Sequence, residues 1–106
     1  MKFKNYTPHK VRLFQDNGQY VELESEGVAR VEEETKDLHK KNGIQFCRTT
    51  MGVVTGLPPK PKANTMIIVS SLVLAHSDRE DLVSPTDYVK NQKGLIIGCR
   101  KLKVNY

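Results

Sequence analysis

The longest apolar run in this chain, MIIVSSLVLA (Met66–Ala75), is broken by two serines. It is too short to cross a bilayer, so it reads as the one fully buried segment of a soluble fold. The remaining apolar side chains come in brief alternating runs closed by Asn, Gly or Pro, a pattern that predicts strands rather than helices. With 106 residues, positions 1–106 form a single domain around one core. An apolar content of 38% makes that core thin. A small chain of this kind gains by burying a face against its own copy, which predicts a homo-oligomer.

KVRLF (Lys10–Phe14) and QYVEL (Gln19–Leu23) alternate on either side of the turn former DNG (Asp16–Gly18), and VARV (Val28–Val31) reads as the third strand of a meander. VEEETKDLHKKNG (Val31–Gly43) is polar throughout and predicts a helical turn or a solvated excursion ended by Gly43. IQFCRTT (Ile44–Thr50) and MGVVTGLP (Met51–Pro58) follow so closely that a hairpin through Thr50–Gly52 is expected. PPKPKAN (Pro58–Asn64) is a proline-fixed basic loop.

TMIIVS (Thr65–Ser70) is the expected central strand, and Ser70 or Ser71 caps a short helix, SLVLAHSD. DREDLVSP (Asp78–Pro85) then reads as a charged loop. DYVKNQKGLIIGCRKLKV (Asp87–Val104) predicts a terminal hairpin turning at Asn91–Gly94, and Gly98 within it implies a bulge or a close backbone approach. The expected fold is mainly β: a small antiparallel barrel or sandwich of about six to eight short strands with one short helix.

The net charge of +5 is uneven. Residues 1–40 carry seven basic and eight acidic side chains, a net of −1, whereas residues 41–106 carry ten and four, a net of +6. The basic half either recruits an anionic partner or only keeps the protein soluble. Cys47 and Cys99 form no C-x-x-C pair, and His9, His39 and His76 are scattered, so neither a metal site nor a cofactor is indicated. Two cysteines without a leader segment read as reduced thiols of a cytoplasmic protein.

The opening turn NYTPH (Asn5–His9) holds Thr7 extended ahead of Pro8. Either it is a strand-entry turn whose Thr7 and His9 are locally satisfied, or Asn5, Thr7 and His9 point polar atoms into a pocket. Arg48, beside Thr49 and Thr50, offers a planar fork suited to phosphate; its partner is either an internal carboxylate such as Glu80 or Asp81, or a ligand. Ser70 and Arg79 flank the predicted helix, and Tyr88 can stack on a base. No nucleophile–base signature appears, and His76 near Asp78 and Asp81 fits caps and ion pairs better than catalysis, so the reading leans away from an enzyme. A nucleic-acid interface would use Lys60, Lys62, Arg100, Lys101 and Lys103, although these basic runs lack the interleaved aromatics typical of single-strand binders.

NYTPHKV, GIQFCRTTMGVVTGLPP, TMIIVSSLV and REDLVSPTDYVKNQKGLIIGCRKL together resemble a family of small uncharacterised proteins of tailed phages and prophages. The resemblance covers most of the chain, least of all VEEETKDLHKKNG, and implies a protein at work in the host cytoplasm. It favours a binding role: holding an anionic nucleotide-like ligand, as a counter-defence sponge for an immune signal does, with DNA or RNA binding and host-protein inhibition as alternatives. In the first case Arg48 and Arg79 are expected to meet in one cavity and carry the phosphate charge, with Thr7, His9, Thr49, Ser70 and Tyr88 around the rest.

Overall fold

Short alternating runs punctuated by turn formers build eight strands and one short helix among the described residues. The computed structural model describes residues 1–59 and 63–106. In chain order these are β1 (Lys2–Asn5), β2 (Val11–Phe14), β3 (Tyr20–Leu23), β4 (Arg30–Lys41), β5 (Ile44–Thr55), β6 (Thr65–Ile68), α1 (Ser71–Ala75), β7 (Leu82–Lys90) and β8 (Ile96–Lys103). Six of them make one sheet in the order β1-β6-β7-β8-β2-β3, while β4 and β5 pair only with each other. The sheet curls until its ends almost meet at the Asn5–Ser25 bridge, giving a mainly β, nearly closed barrel with one helix. Hairpin neighbours β2–β3 and β7–β8 run antiparallel, as do β4–β5, whereas β1–β6, β6–β7 and β2–β8 run parallel.

The apolar run behaves as expected. Strand β6 lies between β1 and β7, and Ile67, Ile68 and Val69 are wholly buried. Because side chains alternate along a strand, β6 feeds two clusters. Ile68 joins Val11 and Val83, with Phe3, Leu13, Leu23, Met66 and Leu102 packed around them. Ile67 and Val69 face the other way, onto Val73 and Leu74 of α1, Ala29 and Leu82. Ser70 caps the helix by accepting a hydrogen bond from the Val73 amide.

The terminal hairpin also turns where its sequence places it. Asn91 Oδ1 accepts from the amides of Lys93 and Leu95, and Gly94 has φ +79°. Gly98 is a close approach: a Cβ there would lie 2.8 Å from the Arg12 carbonyl oxygen and 2.5 Å from the Phe14 ring.

Four expectations need correction. The polar stretch from Val31 is neither helix nor loose excursion; residues 30–41 are strand β4, held by β5. The hairpin does not turn at Thr50–Gly52, which lie inside β5, but at Asn42–Gly43, both at positive φ (51° and 75°). Asn-Gly is the preferred pair for a two-residue turn of this kind, and here that local preference wins over polarity. Val28–Val31 adds no third strand to a meander: Ala29 donates to the Tyr6 carbonyl, and from Arg30 the chain pairs with β5. Finally, Leu82–Pro85 is already strand β7 rather than charged loop; Pro85 is tolerated because the β6 pairing stops at Val83.

The β4–β5 pair is an arm. Each strand has twelve residues, about 40 Å of extended chain, and almost every side chain on it is exposed. The molecule measures 57 × 39 × 24 Å with a radius of gyration of 17.1 Å, against about 13 Å for a compact domain of this size. Only the root of the arm reaches the core, through Val31 and Val54. No described helix is long and apolar enough to cross a membrane.

Candidate functional site

The opening turn closes the barrel. Asn5, at the end of β1, is fully buried. Its Nδ2 donates to the carbonyls of His9 (2.7 Å) and Leu23 (3.0 Å), and its Oδ1 accepts from the Thr7 amide (2.9 Å) and the Thr7 hydroxyl (2.6 Å). The Glu26 amide donates to the Asn5 carbonyl, so backbone and side chain both tie β1 to the segment after β3. Short side chains that bond backbone a few residues away are what such a turn requires. The Thr7 hydroxyl lies between Asn5 Oδ1 and the His9 carbonyl, with one proton to give. The amide and hydroxyl of Thr7 are thus bonded within the turn, and so is the Asn5 side chain, which is not aimed into a pocket. Thr7, half-buried, also borders a cleft.

That cleft encloses about 530 Å³ between the turn, the root of the arm and the start of α1. Tyr6, Val28, Val31, Leu72 and Val73 supply apolar wall, and Thr7 and Ser70 bring hydroxyls. Arg30, Glu32 and Glu33 add charge of both signs along one rim. Ser70 Oγ already accepts from the Val73 amide, which leaves its proton available to a ligand. Among the residues anticipated from sequence, Thr7 and Ser70 are brought together here. Tyr6, Arg30, Glu32, Glu33 and Leu72 were missed: Glu32 and Glu33 lie in the stretch expected to be a helical turn or solvated excursion, and Arg30 lies in the expected third strand.

Arg48 and Arg79 do not line this cleft. Arg79 grips Asp81 through two hydrogen bonds, Nε to Oδ1 at 3.0 Å and Nη2 to Oδ2 at 2.7 Å, and donates from Nη1 to the Pro58 carbonyl at 2.9 Å. The bond to Asp81 raises the Arg79 pKa further above its ordinary value. Three of its five N–H donors are thus engaged by the chain itself. Asp81, offered above as an internal partner for Arg48, serves Arg79 instead. Arg48 stands exposed on the arm opposite Lys36, and Thr49 beside it shares a hydrogen bond with Thr35 at 3.0 Å.

His9 is exposed and contributes its carbonyl to the turn. Tyr88 donates to the Pro85 carbonyl at 3.2 Å and borders a smaller hollow of about 140 Å³ with Lys10, Arg12 and Cys99. Burial pushes the Cys99 thiol pKa up, which keeps it protonated and unreactive. Nearby, a hydrogen bond from Arg12 holds the exposed Glu22 carboxyl below its usual range, and the Arg12 guanidinium lies 4.3 Å from the Tyr20 ring centroid.

Arg100, Lys101 and Lys103 are exposed on β8, where strand alternation puts Lys101 and Lys103 on one face and Arg100 on the other. Lys60 and Lys62 lie outside the described residues. Cys47 and Cys99 are both free thiols, and among the described residues no group of three or more His, Cys, Asp or Glu is placed to hold a metal. Compared with known protein families, curated proteins and solved structures, the chain matches none.

Proposed function

We propose that this protein acts by binding, and that the cleft at the root of the arm takes an anionic, nucleotide-like small molecule. The observation that carries this reading is the mixture of surfaces around one cavity. Tyr6, Leu72 and Val73 offer an apolar wall for a base, and Glu32 and Glu33 offer acceptors for sugar hydroxyls. Arg30, with the Thr7 and Ser70 hydroxyls, offers donors for phosphate oxygens. A volume of about 530 Å³ is of the right order for such a ligand. Arg30 takes over the phosphate role that the sequence suggested for Arg79, which does not line the cleft and is paired with Asp81. A small phage protein that sequesters a nucleotide signal needs no more than this, since a sponge performs no reaction.

Titration calorimetry of ligand-stripped protein against linear and cyclic nucleotides tests the reading. Binding by at least one nucleotide is expected, weakened about tenfold by Arg30→Gln through loss of a charged hydrogen bond. Flat heats across the panel would remove the proposal.

A further inference from the structure

We propose that the β4–β5 arm docks on the arm of a second copy of this chain, the two lying antiparallel about a two-fold axis near their middle. The inference does not depend on what the cleft binds. A two-stranded ribbon alone is marginal in water, yet beyond its root this one projects with both faces exposed and no further strand paired to it among the described residues. Apolar side chains stand exposed along it: Leu38, Ile44 and Phe46 toward the tip, Met51 and Val53 toward the root. An uncovered ribbon of this length is an invitation to pair.

The charge layout names the occupant. Glu32, Glu33 and Glu34 crowd the root, whereas Lys40 and Lys41 stand at the tip. Lys36 and Arg48 face each other directly across the strands, an arrangement of like charges that is unfavourable without a counter-charge. Among the described residues, none of these cations has a carboxylate within ion-pair distance, and neither Glu33 nor Glu34 has a basic partner. Laid side by side in the same direction, two arms would set like charge against like. Laid antiparallel, the acidic root of each meets the basic tip of the other, and one patch serves both chains, as two-fold symmetry requires. The same overlap can cover the exposed apolar residues of one ribbon face, such as Ile44 and Phe46, on both arms. It also carries the partner's Lys40 and the partner's Lys41 to the root that borders the cleft.

Sedimentation equilibrium of the full chain tests this. The wild-type protein is expected to form a closed dimer that weakens as salt rises. A root reversal (Glu33→Lys with Glu34→Lys) and a tip reversal (Lys40→Glu with Lys41→Glu) should each weaken self-association about tenfold or more. Mixing the two variants should restore a dimer, because the reversed root of one then matches the reversed tip of the other. Circular dichroism checks that each variant keeps its sheet, and recovery on mixing demands that both are folded. A wild-type chain that stays monomeric up to its solubility limit would overturn the proposal. So would a dimer indifferent to both reversals, or variants that fail to pair when mixed.

Discussion

Replacing Asn5 by alanine should unfasten the barrel. The side chain is wholly buried, and its loss strands the Thr7 amide and takes a donor from the Leu23 carbonyl, while the His9 carbonyl keeps the Thr7 hydroxyl as a donor. The Thr7 hydroxyl is spared, since it can turn its single proton to the His9 carbonyl. A buried polar group left without a partner costs about 1–3 kcal/mol. Thr7 lies near the surface, where water relieves part of that, so the sum over the Thr7 amide and the Leu23 carbonyl comes to about 3 kcal/mol. With a urea slope of about 1.5 kcal/mol per M, the unfolding midpoint should fall by about 2 M.

Thr7→Val is the internal control. It removes one hydroxyl proton and should cost about 1 kcal/mol. Hydrogen exchange gives a local readout: the Glu26 amide, bonded to the Asn5 carbonyl, should exchange faster in Asn5→Ala than amides of the β7–β8 hairpin. A midpoint for Asn5→Ala within about 0.3 M of wild type, or a larger loss for Thr7→Val, would refute the view that Asn5 clasps β1 to the end of β3.

Gly98→Ala forces a Cβ to 2.8 Å from the Arg12 carbonyl; a stability loss of about 1–3 kcal/mol by urea melts is expected as β8 is pushed from β2. Arg79→Ala leaves a mostly buried Asp81 side chain (11% exposed) and the Pro58 carbonyl without this donor, and should cost about 2 kcal/mol in the same assay. A disulfide reagent should modify exposed Cys47 at once and buried Cys99 only on unfolding, giving one fast thiol per native chain. Because burial raises the Cys99 pKa, its contribution to stability is complete below the ordinary thiol range and fades as pH climbs through the raised value. Cys99→Ser should flatten that alkaline decline in thermal melts. The Glu22 contribution runs oppositely: its lowered pKa gives stability that is present above the usual carboxylate range and disappears on acidification, a decline that Glu22→Gln should remove.

What was legible from the sequence was local. MIIVSSLVLA had to be buried because no other run is apolar enough to anchor a core, and it became β6 and α1. In DNG and the Asn91–Gly94 turn a glycine takes positive φ and an asparagine side chain accepts from amides just ahead of it, so those hairpins declare themselves. Asn42-Gly43 carries the same signal, but thirteen residues with hardly an apolar side chain around it masked a strand. Alternation identifies a strand only where one face is buried, and on the arm neither is.

Tertiary structure decided the rest. Neither the parallel pairings of β1, β6 and β7 nor the place where the sheet ends meet follows from short-range pattern, since each joins residues far apart in the chain. The cleft brings together residues from near positions 6, 30 and 72, which only closure of the barrel makes neighbours. Arg79 illustrates the division well: its charge is in the sequence, but the carboxylate two residues away that engages its Nε and Nη2 is assigned to it only by the folded geometry. Composition and turn chemistry act over a few residues, so they determine which segments extend and where they bend. Packing acts across the whole chain, and it alone determines which donors remain free.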